Sequence, residues 1–332
     1  MSNSPLNLVS KLRPKTLNDY IGQDKVVQNL KTFLNAVKKR GSPTEHILFY
    51  GPSGTGKTTL ANIIANELKS DIKTTSGAVI ERSGDLAAIL TNLNEKDVLF
   101  IDEIHRIPKI IEEVLYPVME EFMLDIIIGK GPSARTVRLT IPPITIIGAT
   151  TKLALLSTPL RERFGLLLRL DYYNLDELIS IIKNSTKLLN IPIDDSSAKS
   201  IAKRSRGTPR IALRILKRAK DIVDTSNVKK IDEKLLDKLF SMLELDNQGL
   251  ANIDRKYLNL LGKKFQNNPV GVETIASALS EDIKTIEEFI EPYLMQIGFM
   301  KKTARGRILT SDALKHLGLK DKAVNDKQER LI

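Results

Sequence analysis

The 332-residue chain has no cysteine, no tryptophan and only three histidines, His46, His105 and His316. Without cysteine the chain can form no disulfide, thiolate zinc site or iron–sulfur cluster, and it has no cysteine nucleophile. Because the histidines lie far apart in sequence, they argue against a histidine-rich metal site. These absences exclude thiol chemistry and disfavour a zinc or iron centre.

Long apolar runs are also missing, and none approaches the length needed to cross a membrane. The first residues lack the basic-then-apolar order of a signal peptide, so we expect a cytoplasmic protein. Hydrophobic residues make up 42% and charged residues 27% of the chain, as in ordinary globular proteins of two or three domains. The net charge of +11 indicates an anionic partner such as nucleic acid, although a general enrichment in lysine explains it equally well.

One glycine-rich loop stands in the setting that a phosphate-binding loop requires. The loop, Gly51 to Thr58, follows a strand-like apolar run and leads into a helix-like one. Its glycines let backbone N–H groups turn toward phosphate oxygens, and the helix N-terminus adds the positive end of its dipole. Lys57 can reach the β- and γ-phosphates, and the hydroxyl of Thr58 can hold a magnesium ion. The sequence therefore predicts a nucleoside triphosphate site.

Strand-like and helix-like segments alternate from about residue 25 to 170, which predicts an α/β fold with a parallel sheet. One insertion, Leu124 to Leu139, predicts a β-hairpin. Helical periodicity then replaces the strands, and near the end helices precede a basic hairpin, the order of a winged helix. We therefore expect three domains: a nucleotide-binding core at 1–170, a helical domain at 171–245 and a winged helix at 246–332.

Two further strands end in polar residues suited to nucleotide chemistry. The apolar run Val98 to Ile101 precedes Asp102 and Glu103, about forty-five residues after the glycine loop. Asp102 suits magnesium binding through water, and Glu103 suits polarisation of an attacking water. The next strand ends in Thr150 and Thr151, which would place a hydroxyl beside the γ-phosphate. Alone this last signal is weak, because threonine is common in strands.

Arginines follow the third of these strands. Arg161 and Arg163 lie on a turn, where arginine can stabilise charge on a phosphoryl group of a neighbouring subunit. A surface ion pair with Glu162 is the alternative, and it fits Arg161 better than Arg163. Arg210, in Gly207-Thr208-Pro209-Arg210, either senses the γ-phosphate or is one more exposed charge.

These motifs together resemble the AAA+ ATPases, and within them the bacterial motors of Holliday-junction branch migration. The resemblance covers Leu12 to Leu319 and includes the stretch Phe100 to Arg106 and the inserted hairpin. It implies ATP and Mg²⁺ as cofactors, with Thr58 and Asp102 at the metal. It implies that Thr150 or Thr151 is the sensor, that Arg163 acts in trans and that Arg210 is the lid sensor. It implies nucleotide contacts by Leu12, Arg13, Tyr20, Ile21, Gly54, Thr55, Gly56, Lys57, Thr58, Thr59 and Tyr173.

The resemblance also implies the partners. They are four-way junction DNA with its duplex arms, further copies of the chain in a six-membered ring, a junction-binding protein docked on the hairpin, and a junction-resolving nuclease. The wing would hold DNA through its phosphates, since four cations and no acid lie within 299–310: Lys301, Lys302, Arg305 and Arg307. The chain departs from the family pattern at Ser53 and Thr55, and in the wing sequence, but no phosphate ligand is lost.

Three other classes compete with this interpretation. A clamp loader would share the core and the arginine but would have a helical collar in place of the winged helix. A protein unfoldase would need an aromatic pore residue, and the stretch Ser76 to Glu81 has none. A non-enzymatic winged-helix regulator would not need Glu103 or Arg163. ATPase activity stimulated by duplex DNA would separate a DNA motor from the last two.

Overall fold

The computed structural model describes residues 12–40, 44–128, 135–226 and 228–320. The chain forms two compact units. The first extends to Ile193 and includes Gly207–Lys217, and the second comprises Asp194–Arg206 and the chain from Arg218 onward. Among the described residues, no helix is both long and apolar enough to span a membrane.

The first unit is built on a five-stranded, all-parallel sheet with the strand order β2-β3-β6-β1-β7. Its strands are β1 (Ile47–Tyr50), β2 (Ile72–Ser76), β3 (Val98–Asp102), β6 (Thr145–Thr150) and β7 (Leu166–Arg169). Its helices are α1 (Asp24–Arg40), α2 (Lys57–Leu68), α3 (Ser83–Leu90), α4 (Lys109–Glu121), α5 (Thr158–Glu162) and α6 (Leu175–Leu188). The predicted α/β fold with a parallel sheet is confirmed.

The sheet forms because its central strands are apolar on both faces. Every residue of β6 is buried, as are the first three of β1 and the first four of β3. One core, around Leu99 and Ile146, lies between the sheet and α3 to α5, and another, around Phe49 and Phe100, lies between the sheet and α1 and α2. Continuous apolar runs are typical of parallel strands covered on both faces. This packing brings the carboxyl ends of β1, β3 and β6 to one edge.

The predicted hairpin is present as β4 (Met123–Ile128) and β5 (Arg135–Thr140), which pair antiparallel. Its turn lies outside the described residues. Leu124 is buried, and Ile126 packs against the core of the first unit, while Arg138 and Asp125 form a two-pronged ion pair at 2.8 and 2.9 Å. Leu124 and Ile126 thus anchor one face of the hairpin to the domain.

The second unit contains a helical part and a compact terminal part. Its elements are α7 (Asp195–Lys203), the end of α8 (Pro209–Thr225), α9 (Glu233–Met242), α10 (Asn252–Asn259), α11 (Val272–Leu279), α12 (Ile283–Thr285), α13 (Glu291–Gln296), β8 (Met300–Thr303), β9 (Gly306–Leu309) and α14 (Ser311–His316). Strands β8 and β9 form the predicted basic hairpin. An apolar core that includes Tyr257, Ile290 and Leu294 joins this hairpin to the helices before it.

Two backbone features mark this region. Ser280 ends α11 with a left-handed backbone (φ 56°), and Asp282 precedes α12. The chain from Ile283 is helical but contains a π-helical turn, Ile286–Ile290, directly before α13. Pro292 lies in the first turn of α13, where its missing N–H costs little.

Candidate functional site

The glycine loop runs from the end of β1 to the start of α2, as predicted. Lys57 is 7% exposed. Its amine donates to the carbonyl oxygens of Gly51 and Pro52, each at 2.8 Å. Burial lowers the pKa of Lys57 to about 8, and the carboxylates of Asp102 and Glu103 oppose that shift. A buried ammonium whose hydrogen bonds go to neutral carbonyls keeps its charge uncompensated, which suits a phosphate ligand.

Glycine is required at position 56 of this loop. Gly56 has φ 110°, in the left-handed region, and a Cβ there would collide with the hydroxyl of Tyr20. Thr55 is fully buried, and its hydroxyl donates to the carbonyl oxygen of Pro52 at 2.9 Å. Thr58 and Thr59 stand in the first turn of α2 and are partly exposed. The loop therefore presents backbone and hydroxyl groups around Lys57.

The carboxylates after β3 lie at the same edge of the sheet. Glu103 has a left-handed backbone (φ 46°), and its N–H bonds the carboxylate of Asp102 at 3.0 Å. An oxygen of the Glu103 side chain accepts from the hydroxyl of Thr151 at 3.1 Å and lies 3.2 Å from Nδ1 of His105. The same ring nitrogen is 3.0 Å from the hydroxyl of Thr150. Glu103 is thus held between β3 and the end of β6.

The two candidate sensors have different surroundings. Thr150, the residue selected from the sequence, is completely buried, and its hydroxyl also accepts from the N–H of Lys152 at 3.0 Å. Thr151 is partly exposed and contacts Glu103 directly. His105 was part of the motif but had no assigned role, and nothing in its spacing could reveal that it bridges two strands.

The five predicted nucleotide contacts outside the glycine loop and its helix have different surroundings. Tyr173 donates to the hydroxyl oxygen of Tyr20 at 2.8 Å, and its N–H bonds the carbonyl oxygen of Gly207 at 2.9 Å. Burial raises the pKa of Tyr20 to about 12 and that of Tyr173 further, so both are neutral hydrogen-bonding groups. Leu12 is buried, Ile21 is partly exposed and Arg13 is exposed. The tyrosine pair thus lies against the glycine loop.

The two predicted arginines lie at different places in the first unit. Arg210 donates from a terminal nitrogen to the hydroxyl of Ser53 at 2.9 Å, so it is in contact with the glycine loop. Arg163 directly follows α5 and folds against α4, where its guanidinium carbon is 4.2 Å from the ring centre of Tyr116. Arg161 bonds Thr158 at 2.8 Å and makes no contact with Glu162 among the described bonds.

The residues around the loop fit a nucleotide with a divalent cation. The buried amine of Lys57, the left-handed backbone of Gly56 and the oxygen donors of Thr58 and Asp102 provide the groups that phosphates and Mg²⁺ require. Within the described ranges, no cluster of three or more histidine, aspartate or glutamate side chains could hold a metal by itself. Bound there, the metal would neutralise phosphate charge.

The sequence predicts four DNA-binding cations in the wing, and the structure pairs two of the four with carboxylates. Arg307 is 14% exposed in its side chain and forms ion pairs with Glu291 at 2.8 Å and Glu287 at 2.7 Å. Lys302 lies 2.7 Å from the other oxygen of Glu291. Lys301 and Arg305 are exposed, and neither forms an ion pair with a described residue. The two glutamates lie one helical turn apart before the wing, a spacing that the sequence prediction overlooked.

Profiles of one protein family match three consecutive parts of the chain. That of the Holliday junction DNA helicase RuvB P-loop domain matches residues 12–170, that of the RuvB AAA lid domain residues 173–246, and that of the RuvB C-terminal winged-helix domain residues 247–318.

Solved structures of RuvB from Thermotoga maritima are similar throughout. Its Holliday junction branch migration motor is 45% identical with a TM-score of 0.82, and the match covers 94% of this chain and 99% of that one. A lysine-to-arginine mutant has a TM-score of 0.83 and a proline-to-glycine mutant 0.84, each 45% identical over 93% of this chain and 99% of that one.

Proposed function

We propose that the site around Lys57 hydrolyses Mg²⁺-ATP and that this hydrolysis drives the movement of DNA by the protein. The chain belongs to the RuvB family of Holliday junction DNA helicases. The protein is an ATPase and a branch-migration motor of recombination and repair. The observation that carries the assignment is the continuous match of all three family domains, 12–318, on a chain whose glycine loop and Glu103 meet at one sheet edge.

We assign the nucleotide contacts as follows. Lys57 binds the β- and γ-phosphates, the backbone of Gly54 and Gly56 surrounds them, and Thr58 with Asp102 holds the magnesium ion. Tyr20 and Tyr173 stand at the base side with Leu12, Arg13 and Ile21. Glu103 orients the attacking water and receives its proton, because it directly follows Asp102 and its charge, like that of Asp102, acts on Lys57. Arg210, in contact with Ser53, senses the γ-phosphate.

We place the sensor at Thr151 in preference to Thr150. The hydroxyl of Thr151 bonds Glu103, whereas that of Thr150 is buried against His105. Solved mutants of Thermotoga maritima RuvB alter a lysine, an alanine, a threonine, an arginine and a proline. One constant shift in numbering brings all five onto residues of the same type here: Lys57, Ala149, Thr151, Arg163 and Pro209. This agreement supports Thr151 and Arg163 as functional positions.

The site is completed by a neighbouring subunit. We propose that Arg163 reaches the nucleotide of the adjacent copy in a six-membered ring, where it stabilises charge on the transferring phosphoryl group. The hairpin β4–β5 would dock a RuvA-type junction-binding protein, and a RuvC-type resolvase would act on the same junction. Within the hairpin we name Ile127 and Ile128 as the docking residues, and their side chains lie outside the described part of the structure. We also propose that the protein has three domains, with the limits 1–170, 171–245 and 246–332, and that it is cytoplasmic.

We place DNA contact in the wing at Lys301 and Arg305. Lys302 and Arg307, also predicted from the sequence, are tied to Glu287 and Glu291, so they hold the wing in shape. A motor that moves along any sequence must rely on phosphate contacts, because base edges differ from step to step.

The test is ATP-dependent dissociation of a synthetic four-way junction, with and without a RuvA-type protein. The wild-type chain should dissociate the junction, and Glu103→Gln should bind ATP without hydrolysing it and leave the junction intact. Thr151→Val should slow hydrolysis more than Thr150→Val. Parental hydrolysis by Glu103→Gln would refute the assigned role of Glu103, and absence of junction dissociation by the wild type with its partner would refute the motor.

A further inference from the structure

The guanidinium of Arg163 lies against one face of α4, beside Tyr116 and Glu120. Its terminal nitrogen donates to the carbonyl oxygen of Pro159 at 2.8 Å, and its plane lies over the ring of Tyr116 at 4.2 Å. Nε of Arg163 is 3.2 Å from a carboxylate oxygen of Glu120 without hydrogen-bond alignment, so this buried N–H has no acceptor among the residues that the structure describes. The side chain is 22% exposed. The arginine is therefore placed by its neighbours and still has an N–H to donate.

Tyr116 also holds the element that carries Arg163. Its hydroxyl is 3.0 Å from the hydroxyl of Ser157, and Ser157 caps α5 by accepting from the N–H of Leu160 at 3.3 Å. One turn earlier on the same face of α4, the buried carboxylate of Glu112 accepts from the N–H of Ser157 at 3.4 Å. The ring of Tyr116 thus contacts the guanidinium while its hydroxyl contacts the start of the five-residue helix that precedes it.

We propose that Tyr116 is a positioning residue for Arg163: it fixes the direction in which the arginine leaves α5 and so acts on the nucleotide site of the neighbouring subunit. The proposal rests on the trans-acting role assigned to Arg163 above. An aromatic face attracts a guanidinium without neutralising it, whereas a well-aligned carboxylate would weaken the charge that a phosphoryl group needs. A rigid ring also limits the rotamers of a long side chain, so less entropy is lost when Arg163 engages its target.

Three variants separate the parts of this contact. Tyr116→Leu removes the ring and should lower kcat for ATP hydrolysis by on the order of tenfold, since small misplacements of a catalytic group are costly. Tyr116→Phe keeps the ring and loses only the hydroxyl, so it should retain most of the activity. Ile110→Ala changes an exposed residue of the same helix and should behave as wild type. ATP affinity should be unchanged in all three.

Mixed oligomers show whether the effect is in trans. Tyr116→Leu subunits should regain hydrolysis when mixed with Lys57→Ala subunits, because the latter supply an intact Tyr116 and Arg163 to the neighbour's site. Arg163→Ala mixed with Lys57→Ala is the reference. In addition, the double variant Tyr116→Leu/Arg163→Ala should be no slower than Arg163→Ala alone, a result that a general structural defect would not produce.

The outcomes are distinguishable. Recovery by Arg163→Ala mixtures without recovery by Tyr116→Leu mixtures would overturn the role of Tyr116 and leave that of Arg163 intact. No recovery by either, with mixed oligomers verified, would overturn both. If Tyr116→Leu does not assemble, Tyr116→Met, which better preserves side-chain volume, replaces it in the same comparison; parental kcat there would also refute the proposal.

Discussion

Lys57 in the glycine loop and Arg307 in the wing are both cations beside a proposed phosphate ligand, and the structure surrounds them differently. The hydrogen bonds of Lys57 end on two backbone carbonyls, and burial lowers its pKa to about 8. Arg307 meets the carboxylates of Glu291 and Glu287, and although burial lowers its pKa, these bonds more than offset that effect and raise it. One cation lacks a bonded counter-charge, and the other already has two.

Whether a basic residue is available to a ligand depends on the groups that its own chain places beside it. A cation whose own chain offers only neutral acceptors gains most from an incoming phosphate. A cation paired with a buried carboxylate must leave that carboxylate uncompensated before it can serve a ligand. Glu291 is completely buried and also accepts from the hydroxyl of Tyr257 at 3.1 Å. Arg307 therefore completes the core of the winged helix, while Lys301 and Arg305 extend from it.

The strongest test of this comparison is removal of each cation, and Lys57 should give the larger effect. Lys57→Ala should abolish measurable ATP binding, because no other lysine or arginine is buried at the loop among the described residues. The fold should persist, since the lysine makes no bond to a charged group. Titration with a fluorescent ATP analogue measures the loss, and Lys73→Ala, at an exposed position of β2, is the matched control. ATP binding by Lys57→Ala at parental affinity would refute the role of Lys57 as the phosphate-binding cation.

Arg307→Ala should act on stability instead. Among the described residues, the change leaves the buried Glu291 with Lys302 as its one ion-pair partner, and breaking a buried pair costs about 3 kcal/mol or more. Urea unfolding and hydrogen exchange of the amides in β8 and β9 should both report the loss. Arg305→Ala, two residues away and exposed, should change stability by less than about 0.5 kcal/mol. Equal stability of the two variants would contradict a structural role for Arg307.

What the sequence could predict follows the same division. Strands β1, β3 and β6, the glycine loop and the carboxylates of Asp102 and Glu103 were predicted because local patterns specify them: apolar runs, glycines and fixed spacing. Contacts between distant segments were not predictable. Nothing local indicates that Glu291 faces Arg307 across the wing, that Thr151 rather than Thr150 bonds Glu103, or that Tyr116 lies under Arg163. These pairings depend on how helices pack, and charge alone does not name its partner.

The two cations that extend from the wing should contribute phosphate contacts to duplex binding. Replacing both Lys301 and Arg305 by alanine should weaken duplex binding to a similar degree on unrelated sequences. Each lost phosphate contact lowers the slope of log affinity against log salt by about 0.9, so the pair should lower it by about 1.8. Fluorescence anisotropy over a salt series on two duplexes measures this. An unchanged slope would remove the wing from the DNA interface, and a loss on one duplex only would indicate base readout.

The smallest expected effect, and the one most specific to Lys57, is a coupling of ATP binding to proton uptake. A group with a pKa of about 8 is half neutral at pH 8, and a bound phosphate raises that pKa by favouring the charged amine. Affinity for Mg²⁺-ATP should therefore be highest below pH 8 and fall as the pH rises through it, by up to about tenfold per unit. Calorimetry at pH 8 in two buffers of different ionisation enthalpy should give about half a proton taken up, and close to none at pH 6.5.

DNA binding should show no such proton uptake over the same pH range, because the carboxylates beside Arg307 raise its pKa and keep it charged. Proton uptake on DNA binding, or its absence on ATP binding between pH 7 and 9, would contradict the difference between the two cations.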